Sequence, residues 1–293
     1  MNVLPYLVDQ ATFITDLAAK MRDASHARWS SALKYSALND AIRMWDDKVL
    51  VPHLYTITDG WVAGTYAYTL PDYVRGRIQP EMLRTAYDYP YTMLSSSSTT
   101  WLPVTGWHVE PDGSGGQKLR LDGIPYSTEG RIIWYTEQST LPATAPTITT
   151  SSITSSSTSV IVDAAVAVES AGYVKIEAEW IHYADITRGA TTTTLSNLTR
   201  GINDTAAASH NTAVTVYWGI AMPERSLYNQ LMWQTRANLH AMNITDGADH
   251  ERSNHEKPMA YFQKMADDYW MKHVGLLPKS KLILRRQGMS HGR

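Results

Sequence analysis

The sequence predicts an α+β protein: a helical bundle formed from N- and C-terminal helix pairs, with two inserted antiparallel β subdomains and an extended C-terminal arm. Two observations predict this fold. Apolar residues recur at helical spacing near both ends of the chain, whereas apolar and polar residues alternate between them. Because chain termini of compact domains commonly meet, the two helix pairs can close one bundle.

The N-terminal pair lies within residues 1–52. Its first helix should run from about Asp9 to Arg22, with an apolar face of Ile14, Leu17, Ala18 and Met21. The second should follow Ser30, a residue that commonly caps helix N-termini, and stop before Pro52. We expect the two to form a helical hairpin.

The C-terminal pair lies within residues 221–275 and completes the predicted helical frame. Its first helix should open at Pro223 and end near Gly247. The last helix should start at Ser253, which forms a capping-box pattern with Glu256, or alternatively at Pro258, and should stop at Gly275.

Strands are predicted for the middle of the chain. The first β subdomain, residues 53–137, should contain strands at Trp61–Leu70, Trp101–Glu110, Lys118–Leu121 and Arg131–Glu137. Residues 138–158 are nearly all Ser, Thr, Pro and Ala, which predicts a linker or exposed loop without a core. The inserted β module, residues 159–220, should contain strands at Val160–Val162, Tyr173–Tyr183, Thr192–Leu198 and Val214–Trp218.

The composition is that of a globular chain: 293 residues, 43% hydrophobic and 18% charged, with a formal net charge of −2. No apolar run approaches the roughly 18 residues of a membrane helix, and the N-terminus lacks a signal-peptide pattern, so we expect synthesis in the cytoplasm. The absence of cysteine excludes disulfides and thiolate metal sites. Ten Trp and seventeen Tyr against two Phe favour protein interfaces, and hence an oligomer.

Two carboxylates are candidates for catalysis. Glu177 and Glu179 are two residues apart in a predicted strand, so they should share a face at roughly 7 Å, which would suit an inverting glycosidase. However, Lys175 alternates with them in the pattern of any half-exposed strand. We therefore interpret the pair as a solvated face and assign no catalytic residue.

Metal and cofactor sites are not predicted. The turn between the last two helices is rich in possible ligands, namely His240, Asp246, Asp249, His250 and His255. However, His250 and His255 are five residues apart, not the four that place two ligands on one helical face. The segment Gly113 to Gly116 lacks the Lys-Ser/Thr and helix of a phosphate-binding loop, and no Gly-x-Ser-x-Gly elbow occurs.

The C-terminal arm, residues 276–293, carries only basic charge, since the last acidic residue of the chain is Asp268. Basic residues flank a short apolar stretch in the segment Lys279, Lys281, Leu282, Ile283, Leu284, Arg285 and Arg286. Such a segment can become ordered on a protein partner, remain disordered, or bind DNA phosphates. The apolar stretch favours a protein groove over DNA.

Several stretches resemble known phage proteins. Residues 172–183 (GYVKIEAEWIHY), 194–201 (TLSNLTRG) and 205–210 (TAAASH) resemble a small β module that recurs as an insertion in tailed-phage virion proteins. Residues 28–31 (RWSS), 38–42 (LNDAI) and 68–71 (YTLP) resemble the family of phage head-to-tail adaptor, or connector, proteins. The β insertion here is larger than the minimal pattern of that family.

The resemblance implies a structural virion protein of the neck, assembled in the host cytoplasm. Such a protein forms an oligomeric ring, usually of twelve copies, between the portal and the tail tube or nozzle. Helices form the ring body, the C-terminal arm reaches the portal, and the ring continues the channel for genomic DNA without reading its sequence. The alternatives are a glycan-binding or fibre-type tail component, and a cell-wall hydrolase that uses Glu177 and Glu179.

Overall fold

The computed structural model describes residues 5–45, 49–57, 61–62, 64–74, 77–85, 99–123, 129–138, 140–143, 145–146, 148, 152–163, 170–246 and 249–273. Its helices are α1 (Gln10–Lys20), α2 (Ser31–Arg43), α3 (Leu227–Asp246) and α4 (Asp249–His273). Its strands are β1 (Tyr6–Asp9), β2 (Leu50–Thr56), β3 (Ala67–Leu70), β4 (Arg77–Thr85), β5 (Thr99–Pro103), β6 (Trp107–Pro111), β7 (Gln117–Leu121), β8 (Gly130–Glu137), β9 (Ser159–Val162), β10 (Gly172–Ile176), β11 (Glu179–Arg188), β12 (Thr193–Ile202) and β13 (Val216–Met222).

The predicted fold class, a helical bundle with inserted β subdomains, is wrong. The described residues form a mostly β protein, with thirteen strands in three antiparallel sheets and four helices. They divide into two compact units, one within Pro52–Thr136 and the other within Leu4–Val51 and Glu137–Leu277. Each unit has its own sheets, so strands rather than helices organise the chain.

The first unit contains two small antiparallel sheets, with strand orders β2-β8-β4-β5 and β3-β7-β6. One face of the three-stranded sheet buries Leu119 and Leu121, whereas the other carries the exposed Arg120. This alternation is the two-residue period that predicted strands here. The predicted strand from Trp101 to Glu110 is two strands, because Gly106 adopts a left-handed conformation (φ +72°) between them.

The second unit is built on a six-stranded antiparallel sheet of order β1-β13-β10-β11-β12-β9. The N-terminal strand β1 forms one edge of this sheet and pairs with β13, which follows it after most of the chain has intervened. All but one residue of β13 is buried, because helices lie on one face of the sheet and Leu7, Val51, Tyr173, Trp180 and Ala221 pack together on the other.

Helices and sheet share one hydrophobic core. Phe13 of α1, Leu38 of α2 and Leu231 of α3 belong to the same buried cluster as Ile176 of β10 and Trp218 of β13. Helix α1 packs on β1 and β13, while α2 packs on α3, and α3 packs on α4. Apolar residues of strands β9 to β13 therefore share one core with the helices of the second unit.

The Ser/Thr-rich segment 138–158 also contributes to this core. Its apolar residues Leu141, Ile148 and Ile153 are buried in the shared cluster. The Asn39 side chain both donates to the Leu141 carbonyl (2.9 Å) and accepts from its amide (2.8 Å). The sequence predicted no core here, because three apolar residues spaced widely among Ser and Thr show no periodicity.

Helix boundaries were predicted with mixed success. Ser30 caps α2 as predicted, with its side chain accepting from the amide of Leu33 (3.2 Å). Helix α2 ends at Arg43, well before Pro52, and Pro52 itself lies in β2, which begins at Leu50. Pro258 does not begin α4 but lies inside it, so the helix runs through a residue that cannot donate a backbone hydrogen bond. No helix in the described part of the chain is long and apolar enough to cross a membrane.

Candidate functional site

The two candidate carboxylates do not lie on one strand. A two-residue turn, Glu177 and Ala178, separates β10 from β11, and Ile176 pairs with Glu179 across it. Glu177 adopts a left-handed backbone (φ 52°), a conformation that costs a non-glycine residue about 1 kcal/mol. The predicted continuous strand Tyr173–Tyr183 is therefore wrong, and so is the shared face on which the glycosidase hypothesis depended.

Glu179 is buried and its hydrogen-bonding capacity is filled. Only 2% of its surface is exposed. Its carboxylate accepts from Arg200 Nε and Nη2, both at 2.7 Å, and from the backbone amides of Gly201 (3.0 Å) and Ala208 (3.1 Å). A fifth contact joins it to His210 Nε2 at 2.7 Å. The prediction of a solvated face is thus wrong for Glu179.

The environment of Glu179 favours its charged form. Burial alone would raise the pKa of this carboxyl, but the hydrogen bonds from Arg200, His210 and Ala208, with the charge of Arg200, lower it to about 2. A general acid needs the opposite shift, because it must hold a proton near neutral pH. Glu179 therefore lacks the property that an acid catalyst in a glycosidase requires.

His210 lies between the two carboxylates. Its Nδ1 is 2.7 Å from Glu177 Oε2, and its Nε2 is 2.7 Å from Glu179 Oε2. An ionised carboxylate only accepts hydrogen bonds, so an imidazole ring that donates to both must carry hydrogen on both nitrogens. The ring is buried, whereas 59% of the Glu177 side chain is exposed. We call Glu177, Glu179, Arg200 and His210 the Glu179 cluster.

The Glu179 cluster joins segments that are distant in sequence. Arg200 Nη1 donates to the carbonyl of Thr154 (2.7 Å), and its Nη2 also donates to that of Ala208 (2.6 Å). His210 and Ile153 exchange two backbone hydrogen bonds of 2.9 Å. The cluster therefore ties the β10–β11 turn, the end of β12 and the Ser/Thr-rich segment together, which is a structural task.

Sequence reasoning missed Arg200 and His210 as partners of Glu179, although both lie in the stretches that carry the phage resemblance.

Sequence reasoning also missed a buried ion pair, in which the fully buried Lys34 contacts Asp23 (Nζ to Oδ2, 2.8 Å). Burial would raise the pKa of the Asp23 carboxyl, but bonds from the Arg28 amide, from Lys34 and from the Trp29 amide hold it far below its usual value. A detectable signal was the position of Lys34 on the apolar stripe of α2.

Two of the possible ligands near the turn between the last two helices lie together in the described part of the chain. His240 and His255 are buried, and their Nδ1 atoms are 2.9 Å apart. The side chains of Asp246, Asp249 and His250 lie outside the described set. Among the side chains that are described, no group of three or more His, Asp or Glu residues could hold one metal ion. The proposed docking arm, Lys279 to Arg286, also lies outside the described residues.

Comparison of the chain with family models, with curated proteins and with solved structures found no match. The phage resemblance therefore rests on the residues that carry it.

Proposed function

We propose that this protein is a structural component of a tailed-phage virion: a head-to-tail adaptor that forms an oligomeric ring and joins the portal to the tail. The observation that carries the proposal is the overlap between the phage-like stretches and the Glu179 cluster. Glu179, Arg200 and His210 all come from those stretches. Because these residues hold the surrounding strands and loops together, the resemblance concerns the architecture of this region.

The same overlap explains other residues of the phage-like stretches. Thr205 accepts from the Trp180 amide (3.0 Å) and donates to the Ile202 carbonyl (2.7 Å), which secures the loop after β12. Gly201 has a left-handed backbone (φ +65°), and a Cβ there would lie 2.6 Å from the amide nitrogen of Ala207. These are requirements of a close-packed loop, so they support a structural role for the module.

Oligomerisation is supported by apolar side chains on the outer surface of the helices. Tyr261 and Met271 of α4 are 55% and 74% exposed, and Met44, after α2, is 50% exposed. Tyr is over-represented in protein interfaces. In a closed ring, one weak contact repeats in every subunit, and the total strength follows from the number of contacts.

The ring is tested by measuring the mass of the full chain alone and in a reconstituted complex with the portal protein, together with negative-stain images. We expect many copies per particle and a closed ring. A single copy per portal complex would contradict the proposal. Peptidoglycan digestion assays test the hydrolase alternative, which requires activity that Glu177→Gln or Glu179→Gln abolishes.

The basic C-terminal arm is proposed as the portal-docking segment. Leu282 and Leu284 would enter an apolar groove, with burial worth roughly 3 to 6 kcal/mol before the cost of ordering the segment. Truncation after Pro278 should then abolish stable attachment and leave the melting temperature almost unchanged.

Two double variants distinguish the contribution of apolar burial in the groove from the contribution of the basic charges. Leu282→Ser with Leu284→Ser should abolish attachment at any ionic strength, whereas Arg285→Gln with Arg286→Gln should mainly slow association. If the arm binds DNA instead, the arginine variant will lose duplex binding, and the affinity of the wild-type chain will fall steeply with salt. Normal portal affinity of the truncated chain would exclude the arm as the anchor.

A further inference from the structure

Arg236 of α3 is an arginine whose side chain is held in place by aromatic rings. Its guanidinium carbon lies 4.0 Å from the centre of the Phe262 ring of α4 and 4.7 Å from that of Trp233. These two rings are themselves stacked, with centroids 5.6 Å apart. Stacking on aromatic faces favours a cationic guanidinium and restricts a side chain that is otherwise flexible. The guanidinium of Arg236 is therefore positioned before any partner arrives.

The guanidinium of Arg236 lacks the carboxylate that comparable arginines of this protein have. Arg131 and Arg200 each donate from Nε and Nη2 to a glutamate of the same sheet. The Nε of Arg236 is buried without an acceptor, whereas its outer Nη atoms reach the surface of this half-buried residue. Burial lowers the pKa of Arg236, because part of its charge has lost water without gaining a described counter-charge.

A second unpaired guanidinium lies in the same region. Arg28, in the loop before α2, is exposed and lies 4.4 Å from the centre of the Trp29 ring. Arg28 and Arg236 both act electrostatically on His240, and both lower its pKa. Neither guanidinium forms an ion pair with a carboxylate in the described part of the chain. The region therefore attracts negatively charged groups.

The side chains around Arg236 suit a protein partner. Tyr261, which precedes Phe262, is 55% exposed, and its ring lies 6.3 Å from that of the half-buried Trp233. Arg, Tyr and Trp are the residue types that contribute most to binding at protein interfaces. The outer edge of a guanidinium can donate two parallel hydrogen bonds to one carboxylate. Together, these features fit an acidic side chain on a protein surface.

The chain itself carries acidic side chains of this kind. Asp267 and Asp268 are neighbouring exposed residues of α4, and no cation among the described side chains pairs with either one. Asp267 accepts a hydrogen bond from the neutral amide of Gln263 (2.9 Å). The same chain thus presents unpaired cations and unpaired carboxylates, and two copies can bring the opposite charges together.

We propose that Arg236 lies at a contact between two copies of this chain, where its guanidinium receives an exposed carboxylate of the neighbouring copy and Tyr261 packs beside the pair. Arg28 adds to the positive potential that steers the carboxylate. Association then supplies the counter-charge that Arg236 lacks. This inference deepens the proposed ring, because it rests on assembly from identical subunits.

Sedimentation velocity of the full chain at a series of protein concentrations tests the contact. Arg236→Gln should raise the concentration needed for association roughly ten- to hundredfold, the usual effect of losing a hydrogen bond to a charged group. The matched control is Arg225→Gln, which removes the same charge from an exposed arginine that lies 5.5 Å over the Tyr6 ring. The control should change association by less than about twofold. Equal effects of the two variants would overturn the proposal.

A second variant and added salt distinguish the contact from a general loss of structure. Arg236→Lys keeps the charge but loses the planar fork, so it should associate more weakly than the wild type and more tightly than Arg236→Gln. Added salt should weaken association of the wild type more than that of Arg236→Gln, because the variant has no ion pair left to screen. Urea denaturation verifies that each variant is folded. Equal salt dependence of the wild type and Arg236→Gln would also overturn the contact.

The outcomes for the contact and for the ring can be told apart. If Arg236→Gln forms closed rings on the portal at wild-type concentrations, the contact is wrong and the ring proposal stands. If wild-type copies associate through Arg236 but form no ring on the portal, the adaptor proposal is wrong and the contact stands. A wild-type chain that remains a single copy in all these experiments would overturn both.

Discussion

Two buried histidine sites of the second unit are built in opposite ways. His210 lies between the carboxylates of Glu177 and Glu179. His240 instead faces another histidine, and the charges that act on it are cationic. The comparison teaches that burial alone does not define the environment of a histidine, because carboxylates surround one buried ring whereas a second imidazole and two guanidinium groups act on the other.

The two sites should therefore lose their contribution to folding stability in different pH ranges. The pKa of Glu179 is about 2 in the folded protein and near 4.5 when unfolded, so its stabilising contribution is complete above about pH 4.5 and is lost as the pH falls towards 2. The pKa of His240 is about 4 when folded and 6.5 when unfolded. Its contribution is complete above about pH 6.5 and is lost as the pH falls towards 4.

The largest effect should come from Arg200→Ala, which leaves the buried carboxylate of Glu179 without its cation. We expect the free energy of unfolding at neutral pH to fall by about 3 to 5 kcal/mol. The matched control is Arg120→Ala, because Arg120 also pairs with a strand glutamate, Glu110, but at the surface. The control should lose less than about 1 kcal/mol. Urea denaturation measures both, and equal losses would show that the cluster has no special role.

Acid should produce the next largest effect. Between about pH 6.5 and about pH 4, the free energy of unfolding should fall by an amount on the order of 2 to 3 kcal/mol for each of His240 and His182, since the unfolded chain binds protons more tightly there. Denaturation at a series of pH values, for wild type, His240→Asn and His182→Asn, separates the two histidines. A stability that does not change across this range would contradict the assigned environments.

Glu177→Gln should have the smallest effect. Its carboxylate contacts His210 but is 59% exposed, so the loss of charge should change the free energy of unfolding by less than about 1 kcal/mol. Thermal melts of this variant beside Glu179→Gln measure the difference. If Glu177→Gln proves as damaging as Glu179→Gln, the exposed contact is a main support of the cluster.

Much of the local structure could be predicted from the sequence, whereas its assembly could not. Ser30 was identified as the cap of α2 because short-range hydrogen bonding decides capping. The four-residue strand β1, by contrast, depends on pairing with β13, a strand far away in sequence. A short strand has little local signal, and its partner is a long-range choice, so the six-stranded sheet was missed and the helices were assigned to a bundle.

The Glu179 cluster was hidden for a related reason. A period of two placed Glu177 and Glu179 on one face, but a two-residue turn reverses the chain between them. Polar residues in a strand usually face solvent, whereas Glu179 is buried because partners on later segments, above all Arg200, 21 residues further along, satisfy its carboxylate. A pattern within one strand carries no information about a partner on another.

The central claim is that Glu179 is a structural acid whose role depends on Arg200. A double-mutant cycle of Glu179→Gln and Arg200→Gln, measured by urea denaturation at neutral pH, tests it most directly. We predict that the two changes are strongly non-additive, with a coupling free energy of at least about 2 kcal/mol. Additive losses, with a coupling near zero, would contradict the claim.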